Sequence, residues 1–396
     1  MPLSFTSQRV AQIPFASIWR IVDKARYLDA QGEKVVHFEV GRPFFNTPPH
    51  IIKAASLAME KGMVHYAANT GLPELRQAMT DNMALKKNIQ YKSDSEILVT
   101  AGGQEAIYVT FQALLEPGDE ILIPDPGYEP YPHSIKLAGG VAVSMPLLEK
   151  ENFCPDLEAV HKLVNNRTRG IIINSPHNPT GGVLTAAQIK KLCDFAVEHN
   201  LLIFSDEAYD QMLYEGRPFI SPASLPNMKE RTIIWGSLSK TYAMTGWRIG
   251  YIAGPAEMIN SAIKIQQNLM ISVCTFAQAG AIEALRGSQD CLDEMLVKFA
   301  ARRQVILNGI DKIPGLSCPT TPYGAFYAFV KHEIPNKSSD EVAEFLIDRG
   351  KVAVVPGTAF GAGGEGYLRF SYAMSPEICQ EGIDRITPLI HELMNR

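Results

Sequence analysis

SLSKTYAMTGWRIGY, residues 237 to 251, is the stretch of this chain that most restricts its fold and chemistry. It holds Ser237, Ser239, Lys240 and Arg248 within twelve positions, next to an apolar run typical of a buried strand. A lysine amine can form a Schiff base with an aldehyde, and hydroxyls and a guanidinium can bind a phosphate. The stretch therefore predicts a site for a phosphorylated aldehyde at the end of a strand.

Lys240 also has an ordinary interpretation, because a lone lysine is usually a solvated surface charge. Its position after TIIWGSLS, residues 232–239, and among small residues favours burial beside a ligand. Burial lowers the pKa of a lysine, and the neutral amine is a nucleophile and a base. A buried lysine beside phosphate-binding groups points to pyridoxal phosphate, whose ring acts as an electron sink.

The composition is that of an ordinary globular protein. The 396 residues are 46% hydrophobic and 20% charged, and this length suffices for a large core and two domains. The net charge of −5 and the isoelectric point near 6.0 argue against a surface for nucleic acid or anionic membranes. No apolar run reaches the ~20 residues that cross a bilayer.

The six cysteines lie far apart and form no C-x-x-C pair. They predict reduced thiols rather than a disulfide framework or a metal site. The amino-terminal MPLSFTSQRV has no basic segment followed by an apolar one, so we expect no secretory signal. Together these features predict a cytoplasmic protein.

The middle of the chain alternates apolar β-rich runs with helical stretches, which indicates an α/β fold with a mostly parallel sheet. Continuous apolar runs are typical of strands buried on both faces. The last hundred residues contain a helical stretch and then shorter β-like runs, which predicts a smaller α+β domain. We expect a large domain at 46–295 and a small domain made of 1–45 and 296–396. The predicted strands of the large domain are 96–100, 120–124, 141–147, 170–176, 201–209, 232–237 and 248–254.

Polar residues follow the carboxyl ends of these strands, the edge where open α/β sheets bind ligands. Asp206 is either a turn residue or a carboxylate that keeps a pyridine nitrogen protonated, and the presence of Lys240 favours the second role. Asn178 lies in SPHNPTGG, residues 175–182. That segment is either a surface turn or a rigid carrier for an amide that binds the ring hydroxyl.

Other candidate cofactor residues lie in turns. TAGGQEA, residues 100–106, places Gly102 and Gly103 at a strand-to-helix junction, where exposed amides and the helix dipole favour a phosphate. Tyr128 either belongs to a plain turn or lays its ring on the cofactor. Tyr209 either packs in the core or forms a hydrogen bond with the ring oxygen.

Two features near the carboxyl terminus each have a functional and a non-functional interpretation. GAGGEG, residues 361–366, matches the dinucleotide pattern G-x-G-x-x-G, but it precedes a β-like run and not a helix. We therefore expect a mobile loop there. Arg369, in the following run, is either a surface charge or a clamp for a substrate carboxylate.

Taken in order, Asn178, Asp206, Lys240 and Arg248 resemble the site of the class I/II aminotransferases, which are fold-type I pyridoxal-phosphate enzymes. The resemblance is closest to the aspartate/aromatic branch and runs from GRPFFNTP near the start to RFSYA near the end. It implies a mostly parallel seven-stranded sheet in a large domain, a smaller domain, and a homodimer with shared active sites. The other motifs that carry it are HYAANTGLPELR (65–76), SPHNPTGG, SDEAY (205–209) and SLSKTYAMTGWRIGY.

The resemblance also implies roles for the site residues. Lys240, Asp206 and Tyr209 would be catalytic. Lys240 would form the Schiff base, and Asp206 would pair with the pyridine nitrogen. Asn178 and Tyr209 would hold the ring hydroxyl, and Tyr128 would stack on the ring. The other implied contacts are the phosphate with Gly102, Gly103, Gln104, Ser237, Ser239, Arg248 and, across a dimer interface, Tyr66, and the substrate carboxylate with Gly41, Asn178 and Arg369.

Two departures from the family pattern bear on the substrate. GRPFF has Arg42, Phe44 and Phe45 where relatives often have an acidic residue and Gly-x-Pro-Asp-Phe. Gln104 stands where relatives that use acidic substrates often have a lysine. Both weigh against strict selectivity for aspartate. Phe15, Phe44 and Phe45 would favour aromatic or other large side chains, or they belong simply to the core.

We predict reversible, ping-pong transfer of an amino group from an L-amino acid to a 2-oxo acid, with Lys240 acting as base and then as acid. Other chemistry with the same cofactor, such as that of a C–S β-lyase, would use the same motifs. A regulator that binds pyridoxal phosphate without turnover is the weaker alternative. It would need a DNA-binding module, and the net charge is acidic.

Overall fold

The computed structural model describes residues 5–15 and 17–395. Residues 1–4, 16 and 396 of the predicted small domain lie outside the described residues. Within the described ranges, no helix is both long and apolar enough to span a bilayer. The α-helices there are α1 (Gln8–Ala11), α2 (Ile18–Ala30), α3 (Pro49–Glu60), α4 (Pro73–Lys87), α5 (Gly103–Leu114), α6 (Pro130–Leu137), α7 (Leu157–His161), α8 (Ala186–Glu198), α9 (Ala256–Leu269), α10 (Thr275–Arg286), α11 (Asp290–Ile310), α12 (Ser339–Gly350) and α13 (Pro376–Met394).

The strands of the described ranges form one large sheet, one smaller sheet and an isolated pair. They are β1 (Val36–His37), β2 (Ile97–Thr100), β3 (Glu120–Asp125), β4 (Val141–Leu148), β5 (Cys154–Pro155), β6 (Thr168–Asn174), β7 (Leu202–Asp206), β8 (Thr232–Ser237), β9 (Gly250–Ala253), β10 (Leu316–Ser317), β11 (Tyr327–His332), β12 (Val352–Ala353), β13 (Val355–Pro356) and β14 (Tyr367–Ser371).

The large sheet has the strand order β2-β9-β8-β7-β6-β3-β4-β5. Its first seven members are the strands predicted from the sequence, so that prediction is confirmed. The five strands from β8 to β4 pair in parallel, and β9 is antiparallel to both of its neighbours. The two-residue β5, antiparallel to β4, was not foreseen. In this register Asn174 lies opposite Asp206, so two predicted strand ends meet at one edge.

Both faces of the large sheet are buried, as the continuous apolar runs predict. In β2, Leu98 belongs to a core that it shares with α5, α6 and α9. Ile97 and Val99 face the other way, into a core with α3, α4 and α10. Helix α8 covers that second face beside β6 and β7. Because helices cover both faces, the carboxyl ends of the strands are left for a ligand.

Helix ends follow local sequence signals. Helices α3, α4, α6 and α13 begin with a proline in the first turn, where no intrahelical N–H bond is lost. Helices α8 and α12 begin with capping boxes built on Thr185 and Ser338. Helix α4 ends at Asn88, which adopts the left-handed conformation that asparagine tolerates.

The carboxyl-terminal part forms the antiparallel sheet β10-β11-β14-β13. Strand β1, from the amino-terminal part, pairs in parallel with β12 and places Val36 opposite Val352. A single core joins side chains of α2, α11, α12 and α13 to this sheet. The predicted boundary after residue 295 falls inside α11. The division into domains at 46–295 and at 1–45 with 296–396 stays a prediction.

The glycine-rich segment at 361–366 differs from our expectation of a mobile loop. Residues Gly357–Phe360 and Ala362–Gly364 form two 3₁₀ turns. The Gly363 N–H donates to Asp125 Oδ1 over 2.8 Å, and the Gly127 N–H donates to the Phe360 oxygen over 2.7 Å. These bonds fasten the segment to the end of β3, beside the site described next.

Candidate active site

A cavity of about 980 Å³ lies at the carboxyl ends of the central strands. Side chains from the ends of β6, β7 and β8, from the first turn of α5 and from β14 line it. Of the site residues predicted from the sequence, all except Gly102 and Tyr66 are in its walls. Those residues are Gly41, Gly103, Gln104, Tyr128, Asn178, Asp206, Tyr209, Ser237, Ser239, Lys240, Arg248 and Arg369.

Lys240 follows β8, and its amine faces this cavity. The Lys240 Nζ donates a hydrogen bond to the backbone oxygen of Gly41 over 2.5 Å. Burial, and after it the charges of Arg369 and Arg248, lowers the pKa of Lys240 to about 8, although the Asp206 carboxylate opposes the shift. The amine is therefore substantially neutral near pH 8, as a nucleophile or base must be.

Asp206 ends β7 and is buried. Its Oδ2 accepts a hydrogen bond from the Tyr131 hydroxyl over 2.7 Å, and its Oδ1 accepts from the Ala208 N–H over 3.1 Å. Burial raises the pKa of Asp206, although both hydrogen bonds oppose the rise. Both donors are neutral, so the carboxylate can still accept a cationic partner such as a protonated pyridine nitrogen.

Asn174 fixes the relative positions of two predicted site residues. Its Nδ2 donates to the backbone oxygen of Asp206 over 3.2 Å and to that of Pro176 over 3.3 Å. Its Oδ1 accepts from the Asn178 N–H over 3.0 Å. One buried amide thereby connects the end of β7 to the turn that carries Asn178.

Arg369 lies in the middle of β14 and is buried. It donates to Asn178 Oδ1 over 3.1 Å and to the backbone oxygen of Glu39 over 2.8 Å. Its guanidinium lies 4.4 Å from the Tyr327 ring centroid and 4.9 Å from that of Phe360. Both hydrogen-bond acceptors are uncharged, and Nε has no partner among the described residues. A buried cation in this state suits an incoming carboxylate.

A second group of donors lies where β2 meets α5. Gly102 has φ +86°, and a Cβ there would clash with the Arg248 guanidinium. Gly103 begins α5, so backbone N–H groups of its first turn are open to an anion. Among the described residues, the hydrogen-bond acceptors of Arg248 are the backbone oxygens of Thr245 over 2.9 Å and Ala101 over 3.0 Å. Together these residues form a candidate phosphate cradle, in which Gly102 shapes the backbone but does not line the cavity.

Ser237 and Ser239 complete this cradle from the end of β8. The Ser239 N–H donates to Ser237 Oγ over 3.2 Å, which holds the two residues in one turn. Gln104 lies in the first turn of α5 and also lines the cavity. Its side chain is uncharged where a lysine would have added a second cation beside Arg248.

Tyr128, Tyr209 and Tyr327 line the same cavity as Lys240 and Asp206. Tyr128 packs edge-on against Tyr131, with ring centroids 5.5 Å apart. The Tyr209 hydroxyl lies 2.9 Å from the Tyr327 hydroxyl. Burial raises the pKa of Tyr128 and of Tyr209, which keeps both hydroxyls protonated and able to donate.

Sequence reasoning missed Asn174, Tyr131 and Tyr327. Tyr131 lies three residues after Tyr128 in DPGYEPY, and Tyr327 lies in FYAFV, residues 326–330, one of the β-like runs of the predicted small domain, so each had an ordinary packing role. The signal for Asn174 was its position at the end of an apolar strand, like Asp206. No local sequence pattern predicts the contact between Tyr327 and Tyr209, because 118 residues separate them.

The aromatic residues suspected near the entrance do not line the cavity. Phe45 packs edge-on against Phe299 at 5.3 Å, so it belongs to the core. Phe44 is half-exposed, with the Arg42 guanidinium 5.1 Å from its ring centroid, and Phe15 is exposed. Tyr66 is 78% exposed and lies outside the cavity of its own chain.

The residues present fit pyridoxal phosphate. The cradle at Gly102, Gly103 and Arg248 suits a phosphate, the Lys240 amine suits an aldehyde, and the Asp206 carboxylate suits a pyridine nitrogen. The orphaned Nε of Arg369 leaves a separate position for a carboxylate. A parallel α/β sheet that presents these groups at its carboxyl edge defines a pyridoxal-phosphate-dependent enzyme.

Comparison with known proteins narrows the class. Residues 33–386 match the family model for aminotransferase class I and II. A probable aspartate/prephenate aminotransferase of Aquifex aeolicus (strain VF5) is 40% identical over 393 residues, 98% of this chain and 99% of the relative. Aromatic-amino-acid aminotransferase 2 of Thermococcus litoralis is 37% identical over 389 residues, 98% of each chain. The crystal structure of the aspartate aminotransferase from Rhizobium meliloti matches with a TM-score of 0.94 and 32% identity, over 99% of this chain and 100% of that one.

The chain belongs to the class I and II aminotransferase family. It is a pyridoxal-phosphate-dependent transferase that moves an amino group from an amino acid to a 2-oxo acid. The predicted fold class, cofactor and reaction type are confirmed.

Proposed function

We propose that this aminotransferase accepts aromatic and other large L-amino acids, with broad rather than strictly aspartate selectivity. The observation that carries the proposal is the charge of the cavity. Among the described residues that line it, the lysine and arginine side chains are Lys240, Arg248 and Arg369. Each of the three is assigned to the cofactor or to the substrate α-carboxylate. Among these lining residues, no lysine or arginine of this chain is left to bind the side-chain carboxylate of an acidic substrate.

The remaining walls favour a large uncharged side chain. Ile18, Trp19, Tyr108 and Phe360 supply apolar surface. Glu129 adds a carboxylate, held by the Ser17 N–H over 2.7 Å, which repels an acidic substrate. The aromatic name of the Thermococcus litoralis relative agrees with this choice, and the aspartate/prephenate name of the Aquifex aeolicus relative leaves room for a broad range.

The cavity residues predicted to bind the cofactor each have a distinct role. Bound pyridoxal phosphate supplies an electron sink for charge that develops at the substrate α-carbon. Asp206 would keep a proton on the pyridine nitrogen, and Asn178 and Tyr209 would bind the ring hydroxyl. Tyr128 would stack on the ring. The Gly103 and Gln104 N–H groups, Ser237, Ser239 and Arg248 would bind the phosphate, and Gly102 would shape the backbone there.

Lys240 moves the proton in this proposal. With a pKa near 8, its neutral Nζ would take the proton from the substrate α-carbon and deliver it to the carbon that was the cofactor's aldehyde. Arg369 and Asn178 hold the substrate carboxylate, and the Gly41 backbone completes that pocket. Since one amino acid must leave as a 2-oxo acid before the next substrate enters, the kinetics are ping-pong.

The substrate proposal is tested by kcat/KM for L-phenylalanine, L-tyrosine and L-aspartate with a common 2-oxo acid. We expect the aromatic substrates to match or exceed aspartate. Gln104→Lys should raise kcat/KM for aspartate relative to phenylalanine by roughly ten-fold. The exposed Gln304→Lys is the matched control. A wild-type enzyme that strongly prefers aspartate would refute the proposal.

We further propose a homodimer with shared active sites. Val64 and Tyr66 are exposed near Leu269 and Ile271, which are also exposed, and Leu269 lies at the cavity wall. The two segments are joined by the hydrogen bond from the Ala67 N–H to Ser272 Oγ over 3.2 Å. Exposed apolar side chains on two joined segments, one of which reaches the cavity wall, favour contact with a second copy. In such a dimer, Tyr66 would reach the cofactor phosphate bound in the active site of the second copy.

Hybrid dimers distinguish this arrangement from independent subunits. Tyr66→Ala and Lys240→Ala chains are each expected to be impaired at limiting pyridoxal phosphate. Mixed after reversible dissociation, they should regain one intact site per hybrid dimer. Mixing Tyr66→Ala with a double variant carrying both changes is the control and should regain nothing. A monomer in analytical ultracentrifugation, or equal outcomes for both mixtures, contradicts shared sites.

We also propose that the enzyme works in the cytoplasm. All six cysteines are free, and Cys154, Cys193 and Cys379 are buried. Unpaired thiols suit a reducing compartment. Cell fractionation tests the location, and recovery of the enzyme outside the cytoplasm would overturn it.

A further inference from the structure

His161, Glu198 and His199 form a cluster away from the cavity of the active site. His161 is the last residue of α7, Glu198 is the last residue of α8, and His199 follows it as the C-cap. The Nδ1 atom of His161 lies 3.1 Å from Nε2 of His199. One ligand atom from each of the three residues lies within 4.8 Å of the others. Two imidazoles and a carboxylate thus meet where two helices end.

The spacing of the two nitrogens is close to what a single metal ion requires. A tetrahedral Zn²⁺ with Zn–N bonds of ~2.0–2.1 Å holds two ligand nitrogens roughly 3.3 Å apart. The observed 3.1 Å is a small adjustment from that value. Glu198 has further to move, but its side chain is exposed and can change rotamer at low cost.

The histidines are already positioned by their surroundings. The His199 ring packs on Phe195, with ring centroids 4.5 Å apart, and the His199 N–H donates to the Phe195 oxygen over 3.1 Å. The two imidazole rings lie 4.9 Å apart. Ligands that are held before the ion arrives lose less conformational entropy on binding.

We propose that His161, His199 and Glu198 bind one divalent transition-metal ion of the Zn²⁺ type. Imidazole nitrogens with a carboxylate are ligands that Zn²⁺ prefers, whereas Mg²⁺ and Ca²⁺ prefer oxygen ligands. Three protein ligands leave a fourth position for water. The ion links α7 to α8, so it stabilises the folded chain in proportion to its binding.

The cluster escaped the sequence analysis, which sought metal sites only among the cysteines. His161 and His199 are 38 residues apart, and their approach depends on the packing of α7 and α8 into one core. None of the three residues lines the active-site cavity. Metal binding and amino-group transfer can therefore be tested separately.

The test is titration of chelator-treated holoenzyme with Zn²⁺ by calorimetry, and with Co²⁺ by its absorption spectrum. We expect one ion per chain with a Kd on the order of micromolar, because the site is exposed. His161→Ala and His199→Ala should each weaken binding at least about ten-fold, and Glu198→Gln by less. His391→Ala, an exposed histidine on α13, is the matched control and should bind as the wild type does.

Thermal unfolding gives a second readout. Zn²⁺ should raise the Tm of the wild type by a few degrees, roughly, and excess chelator should reverse the rise. Mg²⁺ should leave the Tm unchanged. No Zn²⁺ binding at millimolar concentration, or the same affinity in His161→Ala and His199→Ala as in the wild type, overturns the proposal.

Discussion

The amine of Lys240 donates its hydrogen bond to the backbone oxygen of Gly41 over 2.5 Å. This acceptor is uncharged, so it does not hold the amine in its cationic form as a carboxylate would. Gly41 precedes α3 and Lys240 follows β8, so the bond joins the amino-terminal segment to the large sheet. The Lys240 amine is therefore held by the Gly41 oxygen, a partner that does not stabilise the protonated amine as a carboxylate would.

The first prediction concerns the pH dependence of cofactor capture. Burial and the nearby arginines lower the pKa of Lys240 from 10.5 to about 8. Only the neutral amine is nucleophilic, so the capture rate of pyridoxal phosphate by the apoenzyme should rise about ten-fold per pH unit below 8 and level off above it. Stopped-flow absorbance measures the rate. A rate that keeps climbing to pH 10, as free lysine would give, contradicts the lowered pKa.

The second prediction separates substrate binding from cofactor binding. Arg369→Lys removes the fork that bonds Asn178 and the Glu39 backbone and leaves a point charge. We expect kcat/KM to fall roughly 10- to 100-fold, with the affinity for pyridoxal phosphate unchanged. Arg349→Lys, at an exposed salt bridge on α12, is the control. An equal loss of cofactor affinity in Arg369→Lys would show that Arg369 does not act on the substrate.

The third prediction tests the phosphate cradle through Gly102. Gly102→Ala combines a backbone at φ +86° with a clash against Arg248, so the guanidinium must move. We expect the Kd for pyridoxal phosphate to rise at least about ten-fold. Gly32→Ala is a matched control, because Gly32 has φ +84° but open space around its Cβ position. Equal affinity for pyridoxal phosphate in the two variants would show that Arg248 does not bind the phosphate.

The fourth prediction concerns a buried ion cluster behind the site. The Lys87 amine lies 2.6 Å from Glu207 Oε2 and 2.5 Å from Asp210 Oδ2, and its side chain is 2% exposed. Burial opposes the charge, but the Asp210 and Glu207 carboxylates hold the pKa of Lys87 well above its ordinary value. Lys87→Met leaves two carboxylates unpaired beside Asp206 and should lower the free energy of unfolding by about 3–5 kcal/mol.

The control for Lys87 is the exposed pair of Lys190 with Asp194 on α8. Lys190→Met should change the free energy of unfolding by at most about 0.5 kcal/mol. Urea denaturation of the apoenzymes measures both. A Lys87→Met protein as stable as the wild type would contradict a stabilising role for the buried Lys87 amine.

The sequence predicted the strands of the large sheet because each is a continuous apolar run with a clear end. It also predicted Asp206, Asn178 and Lys240 as neighbours, because parallel strands bring their carboxyl ends to one edge. It did not predict β5, which has two residues and no pattern of its own.

Contacts between residues far apart in the sequence could not be predicted from local patterns, for a physical reason. Lys87 and Glu207 are 120 residues apart, and neither lies in a pattern that distinguishes a buried ion pair from two surface charges. The 3₁₀ turn at Ala362–Gly364 is bound to Asp125, 238 residues away, through the Gly363 N–H. Such pairs depend on how elements pack, which local spacing does not encode.

The central claim is that Lys240 is the residue that joins pyridoxal phosphate to the protein. Borohydride reduction of the holoenzyme, followed by proteolysis and mass spectrometry, tests it most directly. We predict that a phosphopyridoxyl group is found on the peptide containing Lys240 and on no other lysine. A group found on a different residue, or an unmodified Lys240 in fully reduced holoenzyme, would contradict the account.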